Sequence, residues 1–345
     1  MWKASERRKL TDSVRAWKCE FGTSRTAMIR CIRNRRSISR SSPLAYLFAG
    51  YGNAGDHVSH AGVLDLLDIP GPIYFPSQID SFSETLHREN KLLCIGGGGL
   101  IQPVFEPFWR RLIKSELKFG LIGVGAAEAP PHRAKFNPKL LKDVLKRAAF
   151  VFVRDDYTAE QCATAGRIPT VIFCPAAAHI LRIANYAPTV RNTLLNAIHP
   201  SDLRFAGIDQ NLLRIQLQAL SVRQGLKYRE IHHDKPFTKK TVKIYQKAAF
   251  AVSSRLHGCI FSYLLATPCF PLCCDQKTNA FYATHTGDVP PSAQDALTIL
   301  KQRKTLEFCN PATSQQQKQI ITDLQKCAST IKLEILQHRS QRSER

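Results

Sequence analysis

Apolar residues in this chain fall into short continuous runs separated by stretches of helical spacing, the pattern of buried parallel strands alternating with amphipathic helices. From Pro43 the runs are LAYLFA (44–49), LLCI (92–95), FGLIGV (119–124), AFVFV (149–153) and TVIF (170–173). Between them lie a helix starting near Asp56, the amphipathic KLLKDVLKRA, and DYTAEQCATAG with Gly166 at its stop. Strands alternating with helices over 43–184 predict one doubly wound α/β domain. The pattern weakens from Asn185 to Pro200, which reads as a linker, and a second Rossmann-like domain is expected over 185–338. Its elements would be LRFAGI, a helix in LLRIQLQALSVRQ, a short strand near YREIHH, a helix in TVKIYQKAA, and a strand, turn, helix and strand over Ala249–Lys277. Two C-terminal helices follow, the second returning to the first domain, and 339–345 reads as a frayed tail.

Ligands on open parallel sheets bind outside the carboxyl ends of the strands, and the notable polar groups of this chain fall there. After the first strand, Gly50, Gly52 and Gly55 accompany Asn53 and Asp56, in a loop suited to a ligand lying across the backbone; Asp56 as a simple helix cap is the alternative. Gly96, Gly97, Gly98 and Gly99 directly follow the second. They would form either a nest of N–H groups facing an anion or sugar, or a tight strand-to-helix turn. No Lys-Ser/Thr follows, so the run is not a nucleoside-triphosphate loop. Arg154 and Asp155 end the AFVFV strand. Arg255 and His257 occupy the turn before LHGCIFSYLLA, a cation beside a titratable imidazole at a helix N-terminus that already favours an anion.

The formal charge of +22 is uneven: residues 1–42 carry +9, residues 301–345 carry +5, and the 258 residues between carry +8. A basic body suits acidic substrates, nucleic acid or an anionic membrane, but no aromatic-interleaved basic stripe supports nucleic-acid binding. Residues 1–42 lack an apolar core, so they are not a secretory signal. In composition they match a transit peptide or a basic membrane-surface arm, and they are read as a flexible arm. The most apolar run, Cys259 to Cys274, is shorter than the roughly 18–20 residues of a spanning helix and contains Pro268 and Pro271. Eleven cysteines with no C-x-x-C pair point to a reducing compartment and no zinc site. Cys269, Cys273 and Cys274 are either core packing or a redox cluster.

GNAGD, the strand with GGGGLI, GVGA, VRDDYTAEQ, and above all SSRLHGCIFSYLLATPCFPL followed by DQKTNAFY resemble the polysaccharide pyruvyl transferase family in order and spacing over residues 44–282. The resemblance implies two Rossmann-like domains facing a cleft, as in B-type glycosyltransferases. It implies transfer of pyruvate from phosphoenolpyruvate onto two hydroxyls of a sugar as a cyclic ketal, in a cell-surface or exopolysaccharide precursor. It implies no metal and no cofactor. The acceptor would be lipid-linked, nucleotide-linked or a polymer, and the enzyme cytoplasmic, with peripheral contact at the inner membrane surface through the basic arm.

By the same resemblance, Arg154, Arg255 and His257 would belong to the donor site and Asn53 and Asp56 to the opposite wall, with Leu256, Gly97, Gly98 and Gly99 as further substrate-binding residues. Guanidinium forks suit the carboxylate and phosphate of the donor. His257, with a near-neutral pKa raised by an adjacent anion, would protonate the donor methylene, and Asp56 would serve as base. Arg154 held by Asp155 or Asp156, and Arg255 paired with a carboxylate across the domain interface, are the structural alternatives. Two positions depart from the family pattern: Cys174 stands where an Asp is usual before Pro-Ala, and His57 where an acidic residue follows Gly-Asp. They leave open a divergent inactive member, with His179 as an unplaced polar group. A B-type glycosyltransferase using a nucleotide sugar is the rival reading.

Overall fold

The computed structural model describes residues 42–50, 54–128, 135–184, 190–287, 290–301 and 309–343. The first domain is a six-stranded parallel sheet of β1 (Leu44–Leu47), β2 (Ile73–Tyr74), β3 (Leu92–Ile101), β4 (Phe119–Ala126), β5 (Ala148–Val153) and β6 (Thr170–Val171), in the order β2-β1-β3-β4-β5-β6. Its helices are α1 (Ala54–Leu67), α2 (Ile79–Arg88), α3 (Glu106–Lys114), α4 (Pro138–Arg147), α5 (Asp156–Thr164) and α6 (Ala176–Ile183). The strands read as continuous apolar runs because helices cover both faces. Along β1, Leu44 and Tyr46 enter one core while Ala45 and Leu47 enter the other, and Leu92 and Cys94 alternate with Leu93 and Ile95 along β3 in the same way.

The second domain is a four-stranded parallel sheet of β7 (Thr193–Ala197), β8 (Lys227–Glu230), β9 (Ala248–Ser253) and β10 (Cys269–Pro271), in the order β10-β9-β7-β8. It carries α7 (Pro200–Phe205), α8 (Gln210–Arg223), α9 (Lys239–Gln246), α10 (Leu256–Leu264), α11 (Gln276–His285) and α12 (Ala293–Lys301). α13 (Ser314–Ser343) then crosses back onto α1, α6 and β5. One apolar core runs from α1 and α6 through α10 to α13, so the two sheets share packing as well as a cleft.

Three expectations are corrected. β7, a central strand of the second sheet, lies inside the stretch read as linker: TLLNA is five residues long with Asn196 in the run, too short and too polar to stand out. LRFAGI is not an element of its own, because its first three residues close α7, which Pro200 starts at its first position. α13 continues to Ser343, past the expected fraying point, since no Gly or Pro follows Pro311 to stop it. Most of the basic arm (residues 1–41) and Asn53 lie outside the described residues.

Candidate functional site

The chain leaves β1 in one direction to reach β2 and returns through β3 in the other, so a crevice opens between the carboxyl ends of β1 and β3. α1 lines it with small residues at helical spacing. Gly55, Ser59 and Gly62 share one face, and each is small because something lies against it. A Cβ at Gly55 would overlap the His257 ring, and one at Gly62 would overlap the Pro175 carbonyl. The second domain therefore reaches its histidine onto the backbone of the first.

The glycine run is not a loop. Gly96–Gly99 continue β3 to Ile101, with a register shift against β4 and positive φ at Gly97 (64°) and Gly98 (119°) that a side chain would resist. Each glycine carries a neighbour in place of a side chain. A Cβ at Gly97 would lie 2.9 Å from Ser59 Cβ, one at Gly98 would lie 3.0 Å from Asp56 Oδ1, and one at Gly99 would overlap the Gln102 amide and approach Arg154 Nη2 to 3.9 Å. The tight strand-to-helix turn, one of the two readings of the run, is replaced by an extended strand that packs in turn against Ser59, Asp56 and Gln102, with Arg154 beside Gly99.

Arg154 follows β5 and is almost fully buried. Its guanidinium lies over Gly125 of β4, where no side chain would fit, and Nε donates to Asp155 Oδ2 at 3.3 Å. Asp155 also caps α5, accepting from Thr158 N at 2.8 Å and Thr158 Oγ1 at 2.5 Å, while Ala126 N donates to Thr158 Oγ1 at 2.8 Å. The Arg154 carbonyl lies 3.3 Å from His285 Nε2 of α11, a contact from the other domain. Asp155, not Asp156, is the partner of Arg154.

The β9–α10 turn is fixed by serines. Ser253 Oγ donates to the carbonyls of Ala197 (3.2 Å) and Arg255 (3.1 Å), and Ser254 Oγ donates to Asp202 Oδ2 at 2.9 Å. Arg255 meets the same carboxylate, Nε to Oδ2 3.1 Å, as an ion contact without hydrogen-bond alignment. Its partner belongs to its own domain rather than the facing one, because α7 starts close to the turn. Leu256 is buried in the shared core, so it can offer a ligand only the backbone N–H of the first turn of α10.

His257 is the meeting point. Its Nε2 lies 3.0 Å from Ser59 Oγ and 4.0 Å from Cys174 Sγ, and the two partners are 3.5 Å apart. Lys277, at the start of α11 and held by Asp275 (3.2 Å), adds a third cation. The expectation of a near-neutral histidine is corrected: burial first, then Arg154, His233, Lys277 and Arg255, hold its pKa well below 6.5. Every charged neighbour in that set is a cation or can become one.

Asp56, Arg154, His257, Arg255 and Gly97–Gly99 are thus brought to one cleft. His179 is not: its Nδ1 pairs with Asp65 Oδ2 at 2.8 Å beside Arg182, where α6 packs on α1. His57 has its pKa lowered by burial and by His179. Cys273 and Cys274 have raised pKa values, through burial first and Asp275 among the further causes, so neither is a ready thiolate. Ser59 and Lys277 are not among the site residues expected from the sequence, and Cys174 enters there only as a departure from the family pattern. The i, i+4, i+7 row of small residues in α1 was the available signal for Ser59, and the D-x-K pair for Lys277. Among the described residues no group of three or more His, Cys, Asp or Glu is placed to hold a metal ion.

The profile of the polysaccharide pyruvyl transferase family matches residues 53–275, more than half the chain, and the protein belongs to that family. The fold is shared more widely. A putative UDP-N-acetylglucosamine 2-epimerase from Listeria monocytogenes superposes with a TM-score of 0.50 at 11% identity, covering 86% of this chain and 96% of its own. MnaA of S. aureus, solved with UDP, gives 0.50 at 9% identity, covering 75% and 87%. These likenesses establish two Rossmann-like domains facing a cleft. No curated protein sequence matches the chain significantly.

Proposed function

We propose that this transferase-family protein moves pyruvate from phosphoenolpyruvate onto two hydroxyls of a sugar, forming a cyclic ketal in an exopolysaccharide or cell-surface precursor. The observation that carries the reading is the convergence of Arg154, Arg255 and Lys277 on His257. Each cation follows a different strand, and each is held by a carboxylate of its own neighbourhood. A small donor with a carboxylate at one end and a phosphate at the other suits such a cleft, with guanidinium forks gripping both.

His257, charged in the presence of the donor, gives its proton to the methylene carbon, and C2 becomes electrophilic. One sugar hydroxyl attacks C2, with Asp56 as the group that takes its proton. The second hydroxyl then displaces phosphate and closes the ring. Of the two hydroxyl protons, one replaces the proton spent on the methyl group and the other leaves with phosphate. Gly97–Gly99 form the floor, and no cofactor is required.

No described helix is long and apolar enough to cross a membrane. Free thiols at the nine described cysteines accord with a cytoplasmic site, and the basic arm with contact at the inner membrane surface. The acceptor is then a lipid-linked or nucleotide-linked sugar or a growing polymer.

The test is incubation with phosphoenolpyruvate and a panel of lipid-linked and nucleotide-linked sugars, following phosphate release and the mass of a pyruvyl ketal. Acceptor-dependent release with that mass supports the reading. Turnover of a nucleotide sugar without phosphoenolpyruvate contradicts it and favours a B-type glycosyltransferase.

A further inference from the structure

Cys174 occupies the end of the stretch leading from β6 into α6, and its thiol is buried against His257 Nε2 (4.0 Å) and Ser59 Oγ (3.5 Å). Burial keeps the thiol protonated, despite the opposing effect of Arg154. Both groups facing Nε2 are therefore uncharged.

The charged and titratable groups around the ring come from six directions. α1 places Gly55 under the ring and Asp56 one residue further, over Gly98. β5 ends in Arg154, whose charge is met by Asp155. The turn before α10 brings Arg255, met by Asp202. α11 brings Lys277, met by Asp275. The segment before α9 brings His233, itself bonded to the Tyr245 hydroxyl at 2.8 Å and deeply buried. Cys174 is the sixth. It stands on the side of the ring where a carboxylate would hold an imidazolium in place.

We propose that Cys174, an uncharged group facing Nε2, is a positioning residue that leaves the His257 ring without an anionic partner of the protein's own, so that donor binding and proton uptake occur together. This rests on the donor assignment above. Burial and the three neighbouring cations favour the neutral ring. A dianion placed among those cations reverses the sign of the field at Nε2, and a proton from solvent then completes the acid. With Asp at 174, the acid would be charged in advance, and the carboxylate would compete with the donor for Arg154.

The experiment is nuclear magnetic resonance titration of the His257 ring from pH 8 to 5 in the full chain. It uses the parent protein, Cys174→Ser and Cys174→Asp, without ligand and with phosphoenolpyruvate. Calorimetry in two buffers of different ionisation enthalpy counts the protons taken up. The free parent protein and Cys174→Ser should keep a neutral ring at pH 6, and Cys174→Asp should titrate at least one pH unit higher. Phosphoenolpyruvate should charge the ring in the first two, with about one proton taken up per donor bound, and that uptake should vanish in His257→Gln. A ring already charged at pH 6 without ligand, or one unmoved by Cys174→Asp, overturns the role of Cys174. Donor binding without proton uptake overturns the coupling, whereas no heat of donor binding in any variant overturns the donor assignment and the coupling with it.

Discussion

The imidazole of His257 rests directly on the backbone of Gly55, so closely that a methyl group at residue 55 would overlap Nδ1. The two residues come from different domains and are separated by most of the chain, yet one cannot change without moving the other. Gly55→Ala should force α1 or the ring to shift, at an overpacking cost of roughly 1–3 kcal/mol. Turnover should fall more than tenfold while the circular dichroism spectrum stays that of the parent. Unchanged turnover would mean that the ring does not act from this position.

Arg154 and Asp155 form a second unit. Asp155→Asn keeps an N-cap acceptor for Thr158 but weakens the hold on the guanidinium. Arg154→Lys keeps the charge but loses the planar fork. The lysine variant should raise KM for the donor at least tenfold. The Asp155→Asn change should do so with a melting temperature within a few degrees of the parent. Both are read from steady-state kinetics beside a thermal melt.

Buried neutral histidines make the fold acid-sensitive. Burial lowers the pKa values of His60 and His233 to about 3 in the folded chain, against 6.5 for an unperturbed histidine. The unfolded chain therefore binds more protons between these values. The stabilising effect of a neutral ring is fully present above pH 6.5 and is lost as pH falls towards 3. Each group should contribute a slope of up to about 1.4 kcal/mol per pH unit in that window. Denaturant unfolding at pH 7 and pH 5 checks this. A His233→Gln variant should show a shallower loss on acidification, and an identical slope would remove His233 from the account.

Much of the first domain was legible because its strands are buried on both faces and its helices have one apolar face, so burial imprints directly on the order of residues. LLCI and AFVFV are plain for this reason. β7 was not, since a short strand containing Asn196 depends on β8 and β9 pairing to either side of it. The glycine run was visible, but its meaning was not. Composition shows that side chains are absent at 96–99, and only packing shows that Ile122, Ser59, Asp56 and Gln102 exclude them in turn. Arg154, Arg255 and His257 could be read from their motifs, whereas the environment of His257 could not. Its low pKa arises first from burial and then from Arg154, His233, Lys277 and Arg255, which separate segments of the chain bring to the ring.

The most direct test is calorimetric titration of the purified protein with phosphoenolpyruvate, beside a uridine nucleotide sugar and the variants Arg154→Ala, Arg255→Ala and His257→Gln. The account expects saturable phosphoenolpyruvate binding that weakens more than tenfold in both arginine variants and survives in His257→Gln, whose loss should be in turnover. Binding of the nucleotide sugar alone, or phosphoenolpyruvate binding unaffected by either arginine, would contradict it.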